Sequence, residues 1–542
     1  LTASLSAIYF NPGTVRAVRE RPQEAQSLIK AQSPIIAMSP ASPDRHRLQW
    51  AGLIIGPASA LIIYLLLPET YRGGQGDPIM FSHAGRATAA MGVWMAIWWM
   101  TEAIEIYATA LLPLVVLPIT SATTVRAAAA PYAHELIFLF MGGFIIALAM
   151  QRWGLHRRFA LMALRLAGDN PRHIVGCFMV VTAFLSMWVS NTATTIMMLP
   201  IALSVINLLV DDAQQADTRE ADPPSNFALC LMLGIAYAAS IGGVGTIIGT
   251  PPNVFLASYI QSNLGEEISF VRWLGVGLPL IIIFLPLTWL LMTRVLYPIH
   301  LERLDGSEAL TQDAYHQLGA MSRGEWMVLI IFVCTAVAWI TRPYLSGIQV
   351  GGLQPLAGLS DPVIAMTAAL ALFIIPVDVR KRTFVMNWKT TAGIPWGLLL
   401  LFGGGLSLAA AIRVNGVGEF IGNQVGILDG FPSILLVLFV TTLVIFLTEL
   451  TSNVATTATL IPILASLAPA LDLHPFLLIV PATLAASCAF VLPVATPPNA
   501  IVFGSGHVTI QQMTRAGIWL NMAGILIITG LTYAVIIRVL GI

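Results

Sequence analysis

Two neutral polar tips recur in an otherwise apolar chain, and they are its strongest candidates for ligand chemistry. Ser190-Asn191-Thr192-Ala193-Thr194-Thr195 returns as Ser452-Asn453-Val454-Ala455-Thr456-Thr457, and Pro200-Ile201 and Pro462-Ile463 follow at the same offset. A second break, Thr250-Pro251-Pro252-Asn253, returns as Thr496-Pro497-Pro498-Asn499, in the same order in each half. The sequence around all four breaks is nearly free of basic residues, so an anion bound there must be held by neutral donors. Ser190, Asn191, Thr192, Ser452 and Asn453 supply side-chain donors, and N–H groups at helix N-termini add partial positive charge suited to a carboxylate. Unwound carbonyls and hydroxyls beside them suit a hard cation such as sodium. A dianion held without Lys or Arg is costly unless cations enter with it, which predicts obligatory cation coupling.

The elements that position these breaks must be membrane helices. A chain of 542 residues with 57% hydrophobic and 10% charged content is not a soluble globular protein. Lys plus Arg equals Asp plus Glu at 27 each, so no net field points to nucleic acid, and none is expected as a partner; the partner is the lipid bilayer. Cys177, Cys230, Cys334 and Cys488 lie in apolar runs without paired spacing and read as packing residues. The apolar spans offer no nucleophile–base pair and no metal-ligand motif, so an intramembrane enzyme is not expected, nor is an organic cofactor. A passive channel would need a charged or carbonyl-lined pore rather than two cation-suited clamps.

Residues 1–48 are polar, proline-rich and basic, without the pattern of a secretory signal, and a short amphipathic helix fits 15–30. Basic residues before the first span predict a cytoplasmic N-terminus, in a plasma or inner membrane. The first membrane half covers 49–298, a cytoplasmic linker 299–325, and the second half 326–542. The segment 174–209 would be about 54 Å long as one helix, too long for a core of about 30 Å. A re-entrant hairpin with Ser190-Asn191 at its tip resolves this, and 432–468 repeats the plan. Proline and glycine break the helices at 227–262 and 474–510 inside the membrane. The basic stretch from Arg152 to Arg172 reads as a helix on the membrane surface, and Trp98 and Trp99 as interfacial anchors. The fold class is therefore all-α and polytopic: about eleven transmembrane helices plus two re-entrant hairpins. Five crossings per repeat invert the second half relative to the first, the architecture of secondary transporters.

One Ser-Asn-Thr in a membrane helix is usually hydrogen-bonding glue between helices. Its recurrence at equivalent places in an inverted repeat favours a binding site, as does recurrence of the Pro-Pro-Asn breaks. Glu449, three residues before Ser452, is either a buried orienting carboxylate or a proton-linked group. The glycines at Gly142-Gly143 and Gly403-Gly404-Gly405 read as close helix packing.

At these residues the sequence resembles the divalent anion/sodium symporter family, the sodium-coupled dicarboxylate, citrate and sulfate carriers. Both Ser-Asn tips, both Thr-Pro-Pro-Asn breaks, Ala486-Ser487 through Phe490, Pro493-Val494-Ala495, Asn499 and Ile501-Val502 carry the resemblance, which covers residues 49–542. The resemblance implies a homodimer with a scaffold domain and a transport domain that moves elevator-fashion. It implies one sodium at Ser186, Ser190, Asn191 and the backbone near Gly249, and another at Thr448, Thr451, Asn453 and the backbone near Ala495. A C4-dicarboxylate such as succinate, malate or fumarate, or citrate, would sit between Ser190-Asn191-Thr192 and Ser452-Asn453-Val454, close to Pro251 and Pro497. Val454 departs from a full Ser-Asn-Thr tip and lacks one hydroxyl. An anion exchanger, a sulfate symporter and proton coupling stay open as alternatives.

Overall fold

The computed structural model describes residues 43–542 apart from 73–76, 166, 216–225, 302, 304–306, 351–352, 425–430 and 542. The expected helix over 15–30 lies outside the described residues. Residues 51–542 form one compact unit.

The described chain is helical, with two short β-hairpins. α1 (Pro43–Leu66) begins before the expected boundary at 49. The hairpin β1 (Thr70–Arg72) and β2 (Pro78–Met80) follows, then α2 (His83–Thr101) and α3 (Leu112–Ile119). α4 (Glu135–Trp153) leads into α5 (Leu155–Leu164). The first tip lies between α6 (Pro171–Ser186) and α7 (Asn191–Gln215). The first broken helix consists of α8 (Asn226–Gly243) and α9 (Pro251–Tyr259), and α10 (Phe270–Leu290) completes this half. The linker holds α11 (Ser307–Gln317).

The second half has α12 (Arg323–Leu345), α13 (Asp361–Ile374), the hairpin β3 (Pro376–Asp378) and β4 (Thr383–Phe384), α14 (Trp396–Val414) and α15 (Val417–Gln424). The second tip lies between α16 (Ser433–Thr448) and α17 (Asn453–Leu467). The second broken helix is α18 (Phe476–Ala486) and α19 (Pro497–Phe503), and α20 (Ile510–Leu531) follows. Among the described residues, 8 helices are long and apolar enough to cross a membrane. Other apolar helices of 10–17 residues include both arms of the first tip. Large apolar side chains such as Leu65, Ile282 and Leu526 face outward, as they do where lipid rather than water surrounds the fold.

Local chemistry sets the helix ends. Ser82 accepts from Gly85 N, Asn170 accepts from Arg172 N and His173 N, and reciprocal capping boxes open α12 (Ser322 with Glu325) and α20 (Thr509 with Gln512). Gly154 and Gly416 end α4 and α14 with φ of 72° and 70°, a conformation that suits glycine. The displacement that carries Ser190 onto Ser452 also carries Gly154 onto Gly416, so the repeat extends well beyond the tips.

α8 is the centre of the unit: every residue from Phe227 to Gly243 is buried, as expected of a helix apolar all round. α6 packs along α8, and α16 packs along α18, the matching pair in the second half. Gly142 and Gly404 allow the expected close approach, since a Cβ there would collide with the backbone of Ala365 and Ala110 respectively.

Three local expectations are corrected. Trp99 is wholly buried and its indole N–H donates to the Ile106 carbonyl at 3.1 Å, so it is a core residue and not an interfacial anchor. The basic stretch is not one surface helix: Arg152 lies in the last turn of α4, Leu155–Leu164 forms α5, Arg172 lies in the first turn of α6, and Arg158 is buried against Glu325. Cys334 is exposed on the apolar face of α12 instead of packed inside.

Candidate functional site

The backbone stops being helical at all four expected breaks. Helix ends at Ser186 and resumes at Asn191; it ends at Thr448 and resumes at Asn453. The proline pairs open α9 and α19, where a missing N–H costs nothing, so each pair marks the start of a helix rather than a kink within one.

At the first tip the Ser186 hydroxyl oxygen is 2.6 Å from Asn191 Oδ1 and 2.7 Å from the Ala239 carbonyl oxygen. A hydroxyl carries one proton and can donate to just one of them. Three oxygens therefore converge with more lone pairs than protons. At the second tip the Thr448 hydroxyl oxygen lies 2.8 Å from Asn453 Oδ1 and 3.0 Å from the Ala486 carbonyl oxygen. The same proton deficit arises on the same spacing. Thr451 Oγ1 is 2.6 Å from Thr456 Oγ1 and donates to the Leu447 carbonyl at 3.0 Å, adding hydroxyl oxygens behind the second tip.

The broken helices close around these clusters. Asn253 donates its amide to the carbonyls of Thr246 (2.8 Å), Gly243 and Val244 (3.3 Å each), stitching the unwound segment to α9. Asn499 donates to Leu492 (3.0 Å) and Ala489 (3.1 Å) in the second half. Each of these asparagines keeps a buried Oδ1 with no hydrogen-bond partner. Thr246 ties the loop to the tip by donating to the Met187 carbonyl at 2.5 Å. A Cβ on Gly243 would collide with Asn191 Oδ1, and one on Gly249 would meet the carbonyl oxygens of Gly243 and Met187. Gly249 is thus packed against the backbone of Gly243 and of Met187, the residue after Ser186. Ala495 is held next to Leu492 by its N–H, at 3.2 Å, and no hydrogen bond joins it directly to Thr448 or Asn453.

The halves interlock at the site. α9 packs on α17, and α19 packs on α7, so the helix opened by each proline pair rests on the arm that begins at the other half's asparagine. That crossing joins the helix that Pro251 opens to the arm that Asn453 opens, and the helix that Pro497 opens to the arm that Asn191 opens. Ser190 is exposed and accepts from Ala193 N at 3.3 Å, while Asn191 and Thr192 are half-buried. Ser452 makes no side-chain cap, so its hydroxyl and the leading N–H groups of α17 are uncommitted. Val454 is buried and presents methyl groups where Thr192 has a hydroxyl.

Glu449 is the charged side chain in this region. Its Oε1 accepts from Phe490 N (2.7 Å), Val491 N (3.0 Å) and Asn521 Nδ2 (2.8 Å), and its Oε2 from Val491 N (3.1 Å) and Leu492 N (3.2 Å). Four donors saturate the carboxylate, which fits the orienting role of the two open in the sequence. Among the described residues, no Lys or Arg takes part in any of these contacts.

Thr246, Asn521 and the carbonyls of Ala239 and Ala486 were not legible as site groups. The carbonyls carry no side-chain signal at all. Asn253 and Asn499 had one, since each closes a repeated Thr-Pro-Pro-Asn.

The chain is similar to known proteins over most of its length. The family model described as the sodium:sulfate symporter transmembrane region matches residues 49–540. A sodium-dependent dicarboxylate transporter (SdcS) of Staphylococcus saprophyticus is 41% identical over 495 residues, covering 91% of this chain and 92% of the relative. The Staphylococcus aureus counterpart is 42% identical with the same coverage. Among solved structures, the Alcanivorax borkumensis YdaH transporter has a TM-score of 0.54 at 12% identity, covering 90% of this chain and 98% of that one. Neisseria gonorrhoeae MtrF, from a class of antimetabolite efflux pumps, has a TM-score of 0.54 at 11% identity, covering 91% and 95%. These two likenesses concern the fold alone.

Proposed function

The chain belongs to the sodium:sulfate symporter family, and from that premise we propose that it is a sodium-coupled symporter of a C4-dicarboxylate such as succinate, malate or fumarate. It is an integral membrane transporter and not an enzyme. The relatives at 41% and 42% identity, named as sodium-dependent dicarboxylate transporters, support the substrate class.

The observation that carries the reading is the pair of proton-deficient oxygen clusters at Ser186–Asn191 and Thr448–Asn453. A sodium ion supplies the positive charge that surplus lone pairs lack, and an oxygen set suits a hard cation. In this reading the first sodium binds Ser186, Ser190, Asn191 and the Gly249 backbone. The second binds Thr448, Thr451, Asn453 and the Ala495 backbone. The dicarboxylate lies between Ser190-Asn191-Thr192 and Ser452-Asn453-Val454, beside Pro251 and Pro497. Its charge is met by the two sodium ions and by the N-termini of α7 and α17, since among the described residues no Arg or Lys takes part in the contacts of either tip. Cations and anion then load together, which is the physical basis of coupling.

Two re-entrant hairpins and eleven crossings, with a cytoplasmic N-terminus, complete the proposed topology. Alternating access would proceed elevator-fashion within a homodimer. The test is labelled succinate uptake into proteoliposomes with and without an inward sodium gradient, with citrate and sulfate as competitors. Concentrative uptake that requires sodium supports the symporter. Sodium-independent uptake that appears only with internal dicarboxylate would make the chain an exchanger and overturn the two cation assignments.

A further inference from the structure

A cavity of about 640 Å³ lies away from both tips, and the transport reading leaves it without a role. That volume falls in the range of small-ligand sites, roughly 300–1,000 Å³. Its walls come from the C-terminal end of α9 (Tyr259) with Asn263 just beyond, the ends of α14 (Arg413) and α17 (Ser466), and α15 (Glu419, Asn423).

The polar groups in this wall are of both signs. Arg413 and Glu419 are exposed and, among the described residues, form no ion pair with each other or with any other group. Asn263 donates its amide to the Tyr259 carbonyl at 3.1 Å but keeps a buried Oδ1 without a partner. The site therefore offers a guanidinium and a carboxylate to a ligand. It complements a ligand that carries both an anion and a hydrogen-bond-donating cation. The repeat does not impose this pairing: the positions matching Arg413 and Glu419 in the first half hold Gln151 and Arg157.

The level of the cavity says where such a ligand comes from. α14 and the helical stretch Asn453–Leu471 are both long and apolar enough to cross a membrane, and Arg413, Pro469 and Ala470 sit at their last residues. Val414, beside Arg413, is 73% exposed, so apolar surface adjoins the polar wall. A charged group at the end of an apolar span lies at headgroup depth.

We propose that this cavity binds the headgroup of a phospholipid that joins a phosphate to a primary ammonium, as phosphatidylethanolamine does. Arg413 takes the phosphate, and Glu419 accepts the ammonium N–H groups. A quaternary ammonium has no N–H to give and is a poor fit. The bound headgroup touches the distal ends of α9 and α17, the two helices whose other ends begin at Pro251 and Asn453, and so bridges elements from both halves.

The test is native mass spectrometry of the delipidated full chain, titrated separately with dioleoyl-phosphatidylethanolamine and dioleoyl-phosphatidylcholine. The ethanolamine lipid should bind at least about tenfold more tightly, and Arg413→Gln and Glu419→Gln should each erase most of that preference. Both positions are exposed, so the melting temperature of the lipid-free variants should match the parent chain. Equal binding of the two lipids, or a preference that survives both substitutions, overturns the proposal. Displacement of the lipid by millimolar glycerophosphoethanolamine would also overturn it, making the cavity a site for a soluble zwitterion.

Discussion

Arg158 and Phe420 occupy equivalent positions in the two halves and pin equivalent short helices with opposite chemistry. The displacement that carries Ser190 onto Ser452 also carries Arg158 onto Phe420. Arg158 holds α5 by donating to Glu325 at 2.6 Å and to the carbonyls of Gly319 (2.9 Å) and Leu318 (3.3 Å). Phe420 holds α15 by stacking on Phe81, with centroids 4.5 Å apart and planes at 5°, and by an edge contact with Tyr71 at 5.3 Å. One helix is tied to the linker by a buried ion pair, and the other to the β1–β2 hairpin by aromatic rings.

Those two pins should fail differently. Arg158→Ala strands the Glu325 carboxylate and should cost about 3–5 kcal/mol, whereas Arg158→Met with Glu325→Leu should recover more than half of that loss. Phe420→Ala leaves no orphaned charge and should cost about 1–2 kcal/mol. Thermal melting in one detergent ranks the three. Equal losses in the single and double ionic variants would show that the pair is not the anchor.

Asn191→Ala and Asn453→Ala should each abolish transport while folding stays intact, because in the proposed reading each asparagine oxygen holds a sodium ion and its neighbours hold the anion. Sodium-dependent succinate uptake, with size-exclusion profiles as the folding control, checks this. Robust transport by either variant would refute the shared tip.

Val454→Thr restores the hydroxyl that Thr192 has in the first half, at nearly constant volume. The preference between succinate and citrate, read from competition, should shift by about threefold or more, on the order of one weak hydrogen bond. An unchanged ratio would place the substrate away from residue 454.

Glu449→Ala should destabilise the fold by at least about 3 kcal/mol, because it removes the acceptor for several buried donors. Glu449→Gln should lose less, and its remaining uptake should keep the parent's dependence on external pH. A flattened pH profile in Glu449→Gln would instead identify the carboxylate as a proton-linked group.

His156, on α5 outside the spans, hydrogen-bonds the Met150 carbonyl at 2.9 Å through Nδ1. Burial pushes its pKa below the usual 6.5, the carbonyl contact offsets part of this, and the Arg157 charge adds to the depression. The folded state therefore favours neutral imidazole, and the unfolded chain takes up the proton first as pH falls. Stability from this group is complete above pH 6.5 and is lost as pH drops through the depressed value. His156→Gln should reduce the fall in melting temperature between about pH 7.5 and 5.5; an identical fall would remove His156 from the account.

The sequence by itself determined the class, the repeat and the tips. Apolar runs of spanning length admit helices as the main solution in a bilayer, because each backbone group must be paired within its own segment. The doubled Ser-Asn and Thr-Pro-Pro-Asn breaks marked the candidate site because proline removes donors and polar side chains at depth need partners. Tertiary structure decided what those partners are. No local pattern could reveal that Ser186 and Thr448 would share one proton with a side-chain oxygen and with the carbonyls of Ala239 and Ala486. No local pattern could reveal that α9 would cross to the other half's arm, or that Glu449 would be saturated by the backbone of Phe490 to Leu492. Those contacts join residues distant in the chain through backbone atoms that every residue carries, so residue type does not encode them. Packing around the fully buried α8 selects them, and that selection is a property of the whole fold.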